Sequence, residues 1–108
     1  MSMALEGVRA VDLSSGIAGP LAAMLLADFG ADVVKVEPPD GDPGRALPGF
    51  GVWNRNKRSV VLDQRSPSGQ HRLAEFLAGA DVCIVDQPRS KLRGSQLDPD
   101  TACARNPG

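Results

Sequence analysis

The sequence predicts an α/β chain built on a parallel sheet. Three observations carry that expectation. Short β-branched runs bounded by turn residues recur at residues 8–13, 33–37, 59–63 and 80–86. Helix-forming stretches separate the first run from the second and the third from the fourth. The junctions carry the turn and capping chemistry that each change of element needs.

The first strand is Val8-Arg9-Ala10-Val11-Asp12-Leu13, entered from Gly7 and left through Ser14-Ser15-Gly16. Pro20 suits the first turn of a helix, where its missing N–H costs nothing, and strong helix formers follow as far as Gly30, the natural stop. Leu21, Met24, Leu25 and Phe29 recur at helical spacing opposite a face that is mostly alanine, so this helix should lie flat against the sheet. Val33-Val34-Lys35-Val36-Glu37 is the second strand, stopped by Pro38-Pro39. Strand, helix and strand within about 30 residues make a right-handed βαβ unit.

Residues 40–52 hold four glycines and two prolines, too irregular for an element and long for a connection, which marks a functional loop. Ser59-Val60-Val61-Leu62-Asp63 is the third strand. Ser66 caps the following helix, with Pro67 at its first position and Gly79 at its end. Ala80-Asp81-Val82-Cys83-Ile84-Val85-Asp86 is the fourth strand, completing the alternation of a doubly wound sheet. Residues 1–86 thus form one unit. Residues 87–108, with three prolines and only Leu92 and Leu97 as large aliphatics, read as an irregular tail with at most one short helix near 98–104, and the whole looks like the front of a longer domain.

Composition excludes several classes. The 108 residues carry 13 acids against 12 bases, so the chain is neither a polybasic nucleic-acid binder nor an acidic disordered tail. The charges are unevenly placed, at −5 over residues 1–42 and +4 over residues 43–108. Cys83, Cys103 and the single His71 match neither a zinc ligand set nor a disulfide framework, and no metal is expected. The cysteines read as reduced thiols of a cytoplasmic protein. The apolar stretch of residues 21–27 is far short of the roughly 20 residues a membrane span needs, and no leader precedes it.

Ser14-Ser15-Gly16-Ile17-Ala18-Gly19-Pro20 joins a strand to a helix N-terminus, where free N–H groups and the helix dipole favour an anion. Its GxxG spacing also fits a purely structural turn, and the absence of GxGxxG argues against a dinucleotide oxidoreductase. Glu37 could hold a ribose from the end of the second strand, or simply face solvent there. Asn54-Arg55-Asn56-Lys57-Arg58, with Arg65 beyond the third strand, supplies the donors that bind phosphate-rich ligands, and fits a solvated basic turn equally well. Trp53 is read as an anchor of the loop to the core, with stacking on a base as the alternative, His71 as a surface residue, and the aspartates mainly as caps or water-facing strand ends. No side chain shows the paired setting of general acid–base catalysis.

Together, Leu5-Glu6-Gly7, Val11-Asp12-Leu13, Ala18-Gly19-Pro20, the run from Leu26 to Glu37, Asn56-Lys57-Arg58-Ser59 and Ala80-Asp81-Val82 resemble the N-terminus of family III CoA-transferases. That family includes formyl-CoA and carnitine-CoA transferases and the α-methylacyl-CoA racemases. The resemblance implies a Rossmann-like CoA-binding fold, with CoA or acyl-CoA and a carboxylic acid acceptor as substrates. It matches Ile17, Ala18, Lys57, Arg58, Leu62, Arg65, Asp86 and Gln87 to CoA-binding positions, with loop structure as the alternative role for Lys57 and Arg58. Two segments depart from the family pattern. Pro38 stands where relatives often carry a basic residue, and Val85-Asp86-Gln87-Pro88-Arg89-Ser90 replaces Glu-Asn-Phe-Arg-Pro-Gly. The transferases' nucleophilic aspartate and the racemases' histidine and aspartate lie beyond position 108, so no catalytic residue is assigned and the chain alone should be inactive. The family's interlocked homodimer also needs parts absent from this sequence. A transferase portion is the leading expectation, with a racemase portion or a standalone CoA-binding remnant as alternatives.

Overall fold

The computed structural model describes residues 3–107. Four parallel strands, β1 (Arg9–Asp12), β2 (Asp32–Glu37), β3 (Arg58–Val61) and β4 (Val82–Ile84), lie in the order β3-β2-β1-β4. α1 (Ala18–Asp28) crosses from β1 to β2, and α3 (Pro67–Ala78) from β3 to β4. The expected α/β alternation is present, with β1, β3 and β4 shorter than the apolar runs that announced them and β2 one residue longer.

Each face of the sheet has its own core, because successive strand residues point to opposite sides. Ala10 and Val33 pack with Ala23, Ala27 and Ala31 on the α1 side. Val11 and Val36 pack with Leu62, Leu73 and Leu77 on the α3 side, where Leu97 from the tail joins them. α1 turns its small residues to the sheet: Ala23, Met24 and Ala27 are buried, whereas Leu21, Leu25 and Phe29 are exposed. The apolar stripe that marked the helix is therefore not its packing face. Alanine brings the helix backbone close to the strands, and the larger side chains are left outside.

Two junctions depend on glycine. Gly16 adopts φ +78 in the turn after β1, a conformation that favours residues without a Cβ. At Gly19, a Cβ would fall 2.3 Å from that of Ser14, so only glycine lets α1 approach the turn. α1 begins at Ala18, which puts Pro20 at the third helical position, still among the N–H groups that have no helical partner. α3 starts as its sequence announces. Ser66 Oγ accepts the Gly69 N–H at 3.0 Å, and Pro67 occupies the first position.

The loop expected over residues 40–52 contains a 3-10 turn (Pro43–Ala46) and one short helix, α2 (Phe50–Trp53). The half-buried Trp53 closes it by lying on Gly49. The tail holds two short helices where at most one was expected: α5 (Pro99–Arg105) at the expected place, and α4 (Arg89–Leu92), which forms where Leu92 can be buried. Among the described residues no helix is long and apolar enough to cross a membrane.

Candidate functional site

Strand order reverses between β1 and β4: the chain moves outward through β2 and β3, then returns to the other side of β1. In parallel α/β sheets such a reversal opens a crevice at the carboxyl ends of the strands. Here the turn after β1 meets the end of β4. The Leu13 N–H donates to the Ile84 carbonyl at 2.9 Å, and the Ser15 N–H donates to Asp86 Oδ2 at 2.9 Å. A cleft of about 430 Å³ opens above the strand ends. Its walls are Ser14 and Ser15 after β1, Pro38 to Pro43 after β2, Leu62 to Arg65 after β3, and Gln87 after β4.

α1 begins at the first of these walls. Its N-cap, Ile17, makes no side-chain capping bond, so the first N–H groups of the helix have no side-chain acceptor. A free helix start at a topological switch point is suited to an anionic group. The cations lining the cleft do less: Arg65 is the only one among the described residues, it is bonded to Asp63, and Asp40 and Asp42 also line the walls. The backbone N–H groups at the start of α1 are therefore donors at this end of the sheet that no side chain occupies.

Beneath the cleft lies a buried ionic network that sequence reasoning missed. Alternation places Asp12, Lys35 and Glu37 on the α1 side of the sheet, beyond the stretch that α1 covers and under the 38–57 loop. Lys35 Nζ contacts Asp42 Oδ2 at 2.7 Å and donates to the Ser14 carbonyl at 3.2 Å, with Asp12 Oδ2 at 3.9 Å. Asp12, fully buried, also accepts from the Ser14 N–H and hydroxyl. Glu37 takes both guanidinium donors of Arg45 at 2.7 Å, together with the Ser59 hydroxyl and the Asp42 N–H. Arg45 first, then Ser59 and Asp42, hold the Glu37 carboxyl at about 2 against burial. One signal was available: a charged residue on the inward side of a β-branched strand must be paired if it is to be buried.

The structure divides the eight expected CoA residues into two groups. Ile17, Ala18, Leu62, Arg65, Asp86 and Gln87 all follow the carboxyl ends of strands, and of these Leu62, Arg65 and Gln87 line the cleft. Lys57 and Arg58 do not. The Lys57 side chain is 1% exposed and donates to Asp12 Oδ2, the Pro20 carbonyl and Asn54 Oδ1 at 2.8–2.9 Å. Burial lowers its pKa, opposed by the Asp12 charge. Arg58 opens β3 at the far end of the sheet and pairs with Asp32 at 2.7 Å. Arg55, in the same basic segment, pairs with Asp28. The segment is thus bonded to carboxylates of the chain itself.

Glu37 is neither solvent-facing nor free to hold a ribose, since Arg45 and Ser59 occupy its oxygens. Asp12 is no water-facing strand end. His71 is exposed and lies 3.2 Å from Glu75. Cys83 and Cys103 are free thiols on one groove; desolvation, then the Asp12 charge, push Cys83 up to about 11, far from a reactive thiolate.

A parallel sheet in this order, with its crevice at the switch point, defines the Rossmann-like class of ligand-binding α/β folds. Within that class the chain belongs to CoA-transferase family III, whose family model matches residues 5–108. It is 37% identical over 96% of its length to a succinyl-CoA–D-citramalate CoA-transferase from Chloroflexus aurantiacus, of which it covers 28%. It is 43% identical over 78% of its length to a formyl-CoA:oxalate CoA-transferase from a Bradyrhizobium species, covering 22% of that protein. The crystal structure of Rv3272 from Mycobacterium tuberculosis superposes with a TM-score of 0.91 over 98% of this chain and 32% of that one, at 32% identity. The chain therefore spans about a quarter to a third of the length of these relatives.

Proposed function

We propose that this chain is the N-terminal, CoA-binding portion of an acyl-CoA transferase, and that residues beyond its length supply the nucleophile for transfer to a carboxylic acid. The observation that carries this reading is the uncapped start of α1 at the switch point, in a chain of this family. The N–H groups at Ile17 and Ala18 donate to a phosphate of CoA, Leu62 meets its adenine, and Arg65 takes its 3′-phosphate from the exposed end of the crevice. Asp86 holds the turn in place through Ser15, beside Gln87. Lys57 and Arg58 take the loop-structure role, which their buried and distal ion pairs support. A cytoplasmic location and an interlocked homodimer of the complete protein belong to the same reading.

Isothermal titration with CoA, dephospho-CoA and NAD tests it. CoA should bind in preference to NAD. Arg65→Ala should weaken CoA by roughly tenfold, as expected for loss of one charge-assisted contact, and leave dephospho-CoA unchanged. Preferential binding of NAD would overturn the assignment.

A further inference from the structure

Lys35 is an improbable residue for its position. It sits mid-strand in β2 between Val34 and Val36, is 2% exposed, and points to the α1 side, where a β-branched apolar residue would pack without cost. A lysine buried there must be repaid by its partners, and those partners share one property. Its ammonium touches Asp42 at 2.7 Å and the Ser14 carbonyl at 3.2 Å, and both residues line the crevice, from different walls. Asp12 at 3.9 Å and the Phe50 ring at 5.8 Å also face it.

From this geometry we infer that Lys35 is a positioning residue that fixes the separation of the two crevice walls by clamping the turn after β1 to the loop after β2. The inference rests on the CoA-binding reading of the crevice. Each wall is tied to the clamp by more than one bond. On the first, Asp12 accepts from the N–H and hydroxyl of Ser14, and Ser14 lies against Gly19, so the start of α1 follows the clamp. On the second, Asp42 Oδ1 accepts the Gly44 N–H while Oδ2 faces Lys35, and the Asp42 N–H donates to Glu37. Lys35, Lys57 and Arg45 balance Asp12, Asp42 and Glu37, so the network is neutral as it stands. Neither wall is fixed to the other by a backbone ladder at this point, since β2 ends at Glu37 and β1 at Asp12. The lysine makes the cross-link that the sheet no longer supplies.

Two substitutions test the clamp from opposite sides. Lys35→Met removes the cross-link at its centre, and Asp42→Asn weakens it at one wall while keeping an oxygen to cap Gly44. Each should weaken CoA binding by roughly tenfold in titration. Asp42→Asn should also shift the backbone amide NMR signals of Ser15 and Gly16, across the crevice from the substitution. Shifts confined to the Asp42 wall, with CoA affinity within about twofold of wild type, would overturn the clamp. If Lys35→Met fails to fold, Asp42→Asn decides alone. If the wild-type chain does not bind CoA but Asp42→Asn still moves Ser15 and Gly16, the clamp stands and the CoA assignment fails.

Discussion

Glu37 makes the stability of the fold sensitive to acid. Its carboxyl is held at about 2 in the folded chain, against an ordinary value of 4.5. As pH falls, the unfolded chain takes up this proton first, so the stabilisation is complete above about 4.5 and is lost between there and about 2. Solvent screening at the half-exposed Arg45 reduces its size to on the order of 1–2 kcal/mol. Urea unfolding at pH 7 and pH 3 should show the larger part of that loss, and Arg45→Gln should remove most of the difference. Lys57→Met leaves Lys35, at 3.9 Å, to balance the Asp12 charge beside the two Ser14 donors, and should lower the unfolding free energy by about 3 kcal/mol. Arg58→Ala, at an exposed pair, should cost under about 1 kcal/mol in the same assay and leave CoA affinity unchanged. That contrast separates two neighbouring cations that look alike in the sequence.

At the scale of elements, α3 shows local chemistry and tertiary fit acting together. Ser66→Ala removes the cap of Gly69 and should cost about 1 kcal/mol. Gly69→Ala would improve helix propensity, yet its Cβ would lie 1.8 Å from the Asp63 carbonyl oxygen. It should therefore destabilise more than loss of the cap does, and thermal unfolding of the two variants side by side checks the order. α1 makes the complementary point. Its amphipathic stripe announced a helix correctly, but which side meets the sheet depended on how closely the sheet allows a helix to approach, and the alanines satisfy that distance.

For the molecule as a whole, the sheet has two unpaired edges, β3 and β4, with Val61 and Val82 exposed on them. Ile17, Leu21, Leu25 and Phe29 add an outward apolar row along α1. Open edges and apolar rows favour self-association. Light scattering should show the chain associating as concentration rises, and Leu25→Lys with Phe29→Lys should suppress this without lowering the melting temperature, because neither side chain is in the core.

The order of strands and helices, the cap at Ser66 and the glycine turn before α1 were legible because each is set by neighbours in the chain: β-branched runs, a serine before proline, glycines at a strand end. The placement of Ile17, Ala18, Leu62, Arg65, Asp86 and Gln87 toward one end of the sheet was legible, since all follow parallel strands whose carboxyl ends must lie together. The roles of Asp12, Lys35, Glu37 and Lys57 were not. A charge in a strand reads the same whether water or a partner dozens of residues away receives it, and Lys57 reaches Asp12 only because the fold brings the segment before β3 against the first turn of α1. The sequence by itself determined the α/β alternation and the family. Only the tertiary structure decided which cations are spent inside the protein and which end of the sheet remains open, because buried charge is tolerated solely where the fold delivers its counter-charge.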